Sequence, residues 1–490
     1  MTVVLTLLAV LPLLPAAAAL AAPPRPTQYL TAASGVACFV LACALVPAAG
    51  RRDLHTGILR ADALSAVFVL ATAFVYAGCA AHSIGYLRND ERSHDFPRYA
   101  RRFYLGLNLF AWSMLCAPLV DGLALLWVAV EVTTVVSALL VAVENTEGAT
   151  EAAWKYVLIA SAGLGVALLA TIFMYYAGSQ VLGQTYDLGF APLLEAASRL
   201  PHTAVRLSFV LAVLGFGTKM GLVPVHTWLP DAHAEAPSPV SAMLSGSLLA
   251  ISFYAVLRYY QVAAATLGPR FPGTVLLVFG LASLLLAALY VLDQHDVKRL
   301  LAYSSVEHMG ILAVGVGFGA PIALAGVLLH VLAHAAAKGN AFMGAGALVR
   351  AYRTKEIHRL RGAAQVLPWS GPMFLAAILA LSALPPFGIF RSEFQIVAGG
   401  LRSGHHGPAA ALVVLVTCAF LGLAIAATQV VLTPAPAGVA EGLREPGARS
   451  AWMVVPVAAG LLALVVLGLH PPAALADLLT RGAAELGGRP

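Results

Sequence analysis

Apolar stretches of about twenty residues recur along this chain from one end to the other, and no polar segment between them is long enough to fold alone. An α-helix rises about 1.5 Å per residue, so about 20 apolar residues cross the hydrocarbon of a bilayer. Stretches of this kind lie at 2–22, 28–48, 62–84, 103–120, 121–143, 153–177, 205–223, 238–262, 273–293, 300–318, 322–349, 370–396, 409–433 and 451–469. They predict an all-α polytopic membrane protein with about fourteen transmembrane helices. Composition agrees, with 60% hydrophobic and 11% charged residues, where average soluble domains carry roughly 25% charged residues. The first stretch holds AAAALAA, which resembles a signal-peptide cleavage region, yet no Lys or Arg precedes it. It reads as the first membrane helix.

The net charge of +6 is less informative than its placement. Lys and Arg collect in a few loops, which is a topology signal and not one for nucleic acid. Fifteen basic residues fall on the side of the 85–102 and 350–369 loops, with Arg25, Lys298, Arg299, Arg444 and Arg449; ten fall on the other. The bias places the first side in the cytoplasm and both termini outside it, in a cell inner (plasma) membrane. The five cysteines lie in or beside apolar stretches, without CxxC or Cys/His metal spacing, and read as packing residues. The chain is therefore expected to hold no metal and no cofactor.

A charge at mid-membrane costs about 2.5–3.5 kcal/mol on insertion scales and normally has a partner or a task. Glu131 stands in LALLWVAVEVTTVVSALL and Lys219 in LAVLGFGTKMGLVPV. Lys338 follows His330 and His334 at steps of four, which puts all three on one helix face. Glu307 and His308 stand in YSSVEHMGILAV, and Glu393 in LPPFGIFRSEFQI. Lys155 lies near a helix start, where it can also snorkel to the interface. A purely structural Glu131–Lys219 ion pair is the bland alternative, but it leaves the accompanying His and Lys without a reason.

Two stretches are interrupted. Pro224 follows Lys219 closely, and Pro385, Pro386 and Gly388 precede Glu393. Proline frees backbone carbonyls, which survive in a membrane only where protein or water satisfies them. Paired breaks in two halves point to a transporter's repeat and its mid-membrane site. Burial penalises an ammonium and a carboxylate nearby stabilises it, so a modest change around Lys219 makes it take up or release a proton. Lys, Glu and His spread across the membrane interior read as a proton relay.

TKMGLVPVHTWLPDAHAEAPSPVSAMLSG and HDVKRLLAYSSVEHMG resemble the two signatures of the antiporter-like subunits of respiratory complex I. SSVEHMG, HAAAKGNAFMGAG and LPPFGIFRSEF look most like hydrogenase-4 component F, a membrane subunit of group 4 hydrogenases and formate hydrogenlyase-like complexes. The resemblance covers roughly residues 60–430. It implies fourteen helices with two inverted five-helix repeats. On that reading residues 1–100 are N-terminal helices, 101–265 and 266–433 the two repeats, and 434–490 a last helix and tail. It implies a proton-translocating subunit of a redox-driven complex, hydrogenase-like or NADH:quinone oxidoreductase-like, with redox chemistry in partner subunits. The proton path it implies runs through Glu131, Lys155, Lys219, His308, His334, Lys338 and Glu393, with His233, Glu307 and His330 beside it. One departure stands out: many complex I members have a lysine where this chain has Ala250. Water, His233 or a rotated Lys338 would have to bridge that position. Two other readings follow from the same family: a subunit of a cation/proton antiporter, and a non-pumping membrane anchor, which Ala250 favours.

Overall fold

The computed structural model describes residues 1–88, 94–435 and 447–488. Arg92, Arg444 and Arg489, counted above toward orientation, lie outside the described residues. The helices are α1 (Thr2–Ala21), α2 (Pro24–Ala49), α3 (Ala63–Leu87), α4 (Phe96–Cys116), α5 (Leu123–Val141), α6 (Glu147–Leu182), α7 (His202–Met220), α8 (Trp228–Glu235), α9 (Ser238–Leu267), α10 (Arg270–Leu292), α11 (Val297–Phe318), α12 (Pro321–Tyr352), α13 (Ser370–Leu381), α14 (Gly388–Arg402), α15 (His406–Leu432), α16 (Gly447–Leu469) and α17 (Ala473–Leu486). A two-stranded hairpin, β1 (Leu54–Thr56) and β2 (Leu59–Ala61), joins α2 to α3. The protein is thus an all-α polytopic membrane protein.

Twelve helices among the described residues are long and apolar enough to cross a membrane. The other two expected spans differ for clear reasons. The 103–120 stretch is the end of α4, whose first turns carry Arg98, Arg101 and Arg102 and lower its hydropathy. The 370–396 stretch is divided into α13 and α14, each shorter than a bilayer crossing. The tail after 469 holds a helix, α17, that the apolar-run criterion passes over because it is amphipathic, with Leu475, Leu478, Leu479, Ala483 and Leu486 buried on one face.

Burial sorts the helices. α9 is enclosed along its whole apolar window, and α3, α11 and α12 nearly so, while α1, α15 and α16 show most of theirs to the surroundings. Outward leucines and valines such as Leu158, Leu289 and Val414 face the lipid. Small residues let helices approach: a Cβ on Gly215 of α7 would meet the Ala167 backbone of α6 at 2.4 Å, and one on Gly280 of α10 would meet Gly310 O of α11 at 2.8 Å.

At one end of the bundle, Asp62 caps α3 by accepting from Ser65 N at 2.8 Å. It also receives both oxygens' worth of contact from Arg258 Nη2 on α9, at 2.8 and 2.7 Å. Arg258 further bonds Ser65 Oγ, Tyr254 Oη and Gln261 Oε1. Burial alone would raise the Asp62 carboxyl, but the Arg258 and Arg60 guanidiniums and the Ser65 amide hold it at about 2. Arg60 and Arg258 are therefore structural charges and carry no topology signal. Glu485 of α17 accepts from Leu64 N at 3.2 Å and pairs with Arg481, which in turn bonds Asp53. Burial, with Asp62 beside it, pushes Glu485 up to about 7. The unfolded chain then ionises Glu485 before the folded protein does. Stability contributed by the protonated form is full below the ordinary carboxylate range and is lost as pH rises towards 7. Melting in detergent across pH 4.5–7 is expected to show this decline, and Glu485→Gln is expected to flatten it. An unchanged slope in the variant would assign the effect to another group.

Candidate functional site

Both breaks occur where the prolines stand. α7 stops at Met220, with Gly221 in the left-handed conformation at φ 85°, and α8 begins at Trp228. The freed groups find partners: Trp228 Nε1 donates to Thr218 O at 2.8 Å, Leu222 N to Gly217 O at 2.8 Å and Val223 N to Ser283 Oγ at 3.0 Å. α13 stops at Leu381 and α14 starts at Gly388. There Arg391 Nη1 donates to Gly468 O and Leu469 O, the last carbonyls of α16.

Lys219 is fully buried one residue before the first break. Its ammonium donates to Val130 O at 2.7 Å, Thr133 Oγ1 at 2.5 Å and Thr134 Oγ1 at 2.6 Å. Those three acceptors use all three of its N–H groups. The expected partner, Glu131, is not in ion contact with it: Glu131 is partly buried and its Oε2 has no hydrogen-bond partner in the protein. Neutral oxygens of α5 hold the lysine, and the carboxylate on the same helix acts over a longer distance. Lys338 on α12 is held alike, donating to Leu301 O at 2.9 Å and Ser304 Oγ at 2.5 Å of α11. The neighbouring Ser305 Oγ shares a hydrogen bond of 2.8 Å with Ser245 Oγ of α9.

The sequence carries a signal for these hydroxyls. Residues 131–134 read Glu-Val-Thr-Thr and residues 304–307 read Ser-Ser-Val-Glu, the same order from opposite ends. Each stretch holds one buried lysine with its hydroxyls. Ser245 lies in a wider π-type turn, Leu244–Leu248, that ends two residues before Ala250; such bulges often mark functional positions.

The histidines form a compact group. His308 Nδ1 and His330 Nε2 lie 3.0 Å apart, and His330 Nδ1 meets Ser392 Oγ at 2.9 Å. The His334 ring packs 5.0 Å from that of His308. All three are fully enclosed. Glu307 is buried beside His308 with Oε2 unpartnered. Glu393 is partly buried and lines a cavity of about 390 Å³ between α13, α14 and α15, with Ser382, Phe390, Phe394 and Thr417. His233 on α8 is buried, stacks on Phe342 at 5.2 Å and uses neither ring nitrogen.

Two basic residues sit elsewhere than their sequence context indicates. Lys155 is not within the buried line: its side chain is 49% exposed and pairs with Glu151 at 2.7 Å and Asp231 at 3.2 Å. Lys298, read as a loop charge, is buried and donates to Ala234 O and Ala236 O at the end of α8. Its place at a helix start hid this.

Residues 121–421 match the family described as NADH:quinone oxidoreductase/Mrp antiporter, TM. This chain belongs to that family. Among its NADH:quinone oxidoreductase/Mrp antiporter relatives, the hydrogenase-4 component F homolog of Methylacidiphilum infernorum is 35% identical, over 71% of this chain and 74% of that protein. The NADH-quinone oxidoreductase subunit N of Desulforudis audaxviator is 32% identical, over 83% of this chain and 79% of that protein. Among solved structures, a chain of the Mrp complex from Dietzia superposes with a TM-score of 0.83 at 22% identity, covering 98% of each chain, which establishes the shared fold.

Proposed function

We propose that this chain is the proton-translocating membrane subunit of a redox-driven complex, hydrogenase-like or NADH:quinone oxidoreductase-like, in a cell inner membrane with both termini outside the cytoplasm. The observation that carries the reading is the line of enclosed titratable side chains. It takes in Lys219 of α7, held by α5, His233 of α8 and Lys338 of α12, held by α11, and then Glu307, His308, His334 and His330, with Glu393 at its cavity. Lys155, with Asp231 and Arg299, stands at the mouth of that line and not in it. Partner subunits carry the redox centres, and this chain supplies the path.

Residues 101–265 and 266–433 act as two inverted repeats on this reading, between N-terminal helices (1–100) and a last helix with its tail (434–490). The paired breaks support it, and so do the mirrored hydroxyl stretches. With fourteen spans, α5 and α11 run in opposite directions. The order Glu, Val, hydroxyl, hydroxyl is then the same along the membrane normal in both halves. A charge change in a partner near Glu131 alters how well the Lys219 ammonium is stabilised, and the proton moves on. The Ser245–Ser305 contact lies more than a helical turn before Ala250 and adds a polar step on the same helix, α9.

Isolation of the tagged chain from its native membranes in mild detergent, with mass spectrometry of its companions, tests this. Iron–sulfur and hydrogenase-like or quinone-reductase-like subunits are expected. Companions limited to small antiporter subunits would overturn the redox assignment in favour of cation/proton exchange.

A further inference from the structure

His308 of α11, His330 of α12 and Glu393 of α14 each bring one potential ligand atom to within 4.8 Å of the other two. The hydrogen bonds fix which nitrogen of His330 is free. Ser392 Oγ donates to Ile389 O at 2.8 Å, so it accepts from His330 Nδ1–H. The neutral ring then carries a bare lone pair on Nε2, facing His308 Nδ1 at 3.0 Å. Beside this contact, both nitrogens of His334 have no hydrogen-bond partner in the protein, although the ring is fully enclosed. Unpaired polar atoms in such a place are costly. In the 3.0 Å contact His308 Nδ1–H donates to His330 Nε2, so a cation seated between the rings takes both lone pairs once that proton shifts to His308 Nε2.

We propose that His308, His330 and Glu393 form a site for a divalent transition-metal cation of the zinc class, reached from the cavity beside Glu393. Two imidazoles and one carboxylate are the donor set of zinc sites that keep an open position. Donors about 2.0–2.1 Å from a tetrahedral ion stand about 3.3 Å apart, close to the spacing already held by the two facing nitrogens. Ser392 orients His330 from behind, as carbonyls and carboxylates orient metal-bound histidines elsewhere. Imidazole favours transition metals over sodium, calcium or magnesium. Glu307, next to His308, adds a second carboxylate to balance the charge. An ion here occupies the nitrogens that a relayed proton needs. That consequence rests on the proposed function; binding itself does not.

Cobalt(II) titration of the purified protein in detergent reads the site directly, because tetrahedral coordination gives an intense visible band. One equivalent is expected, displaced by zinc. Ser392→Ala is expected to weaken binding about 10-fold, within the 10–100-fold range of outer-shell changes, and loss of a ligand by Glu393→Gln or His308→Ala by more than that range. Glu393→Gln keeps size and leaves the buried histidines in place, so it decides the matter if His308→Ala fails to fold. Octahedral cobalt only, or affinity untouched by Glu393→Gln, would overturn the site and assign the binding to surface histidines. Tetrahedral binding that leaves proton movement unchanged would keep the site and overturn the relay through it.

Discussion

Lys219→Met is expected to stop proton translocation in the reconstituted complex, by roughly 10²-fold or more, the contribution typical of acid–base groups. The change should leave assembly intact. Methionine is unbranched and adaptable, and fills most of the lysine's volume. The oxygens it abandons already have other bonds: Thr133 Oγ1 donates to Val130 O at 2.7 Å, and Thr134 Oγ1 reaches the same carbonyl at 3.5 Å. No buried donor is orphaned. Proton-driven dye quenching in vesicles is the measurement, with size-exclusion elution as the folding control. A well-folded variant that still pumps would show that the path does not pass through α7.

The second large effect concerns the Asp62–Arg258 pair. Arg258→Met is expected to destabilise the protein by about 3 kcal/mol, the lower end of the usual cost of removing one partner of a buried ion pair, because Arg60 stays 3.3 Å from Asp62. The pair qualifies as buried, with side-chain exposures of 1% for Arg258 and 2% for Asp62. Removing the guanidinium takes the two shortest ionic contacts from the buried Asp62 carboxylate and leaves it Arg60 alone, at 3.3 Å. The double change with Asp62→Asn should recover most of the loss, because asparagine caps a helix as well as aspartate. Thermal unfolding in detergent gives the numbers. A loss below about 1 kcal/mol would mean that water screens the pair as it does at a surface.

Much of the architecture was legible because a bilayer imposes one rule on every span. Apolar length marked the helices, and proline marked both breaks to within a few residues. Only the apolar end of α4 was marked, at 103–120, because arginines occupy its first turns, and α17 escaped the rule because only one of its faces is apolar. Charged residues were found because charge is rare in a membrane. The hydroxyls that hold the lysines were not, because serine and threonine pass unremarked in apolar helices. Thr133, Thr134 and Ser304 acquire meaning only when α7 and α12 bring an ammonium to them. Lys298 misled for a related reason: its stem begins in a loop-like context, and its head turns inward to α8. The histidine–glutamate cluster has no spacing to read, since its members come from three helices.

The acceptors of Lys219 all belong to α5, and they flank Glu131 in the chain. Sliding α5 by a single residue is a shift of about 1.5 Å, more than bonds of this length can stretch and remain bonds. The end of α7 is thereby linked to α5 through one lysine side chain. A displacement of α5 pulls on the break through that stem, a mechanical link beside the electrostatic one.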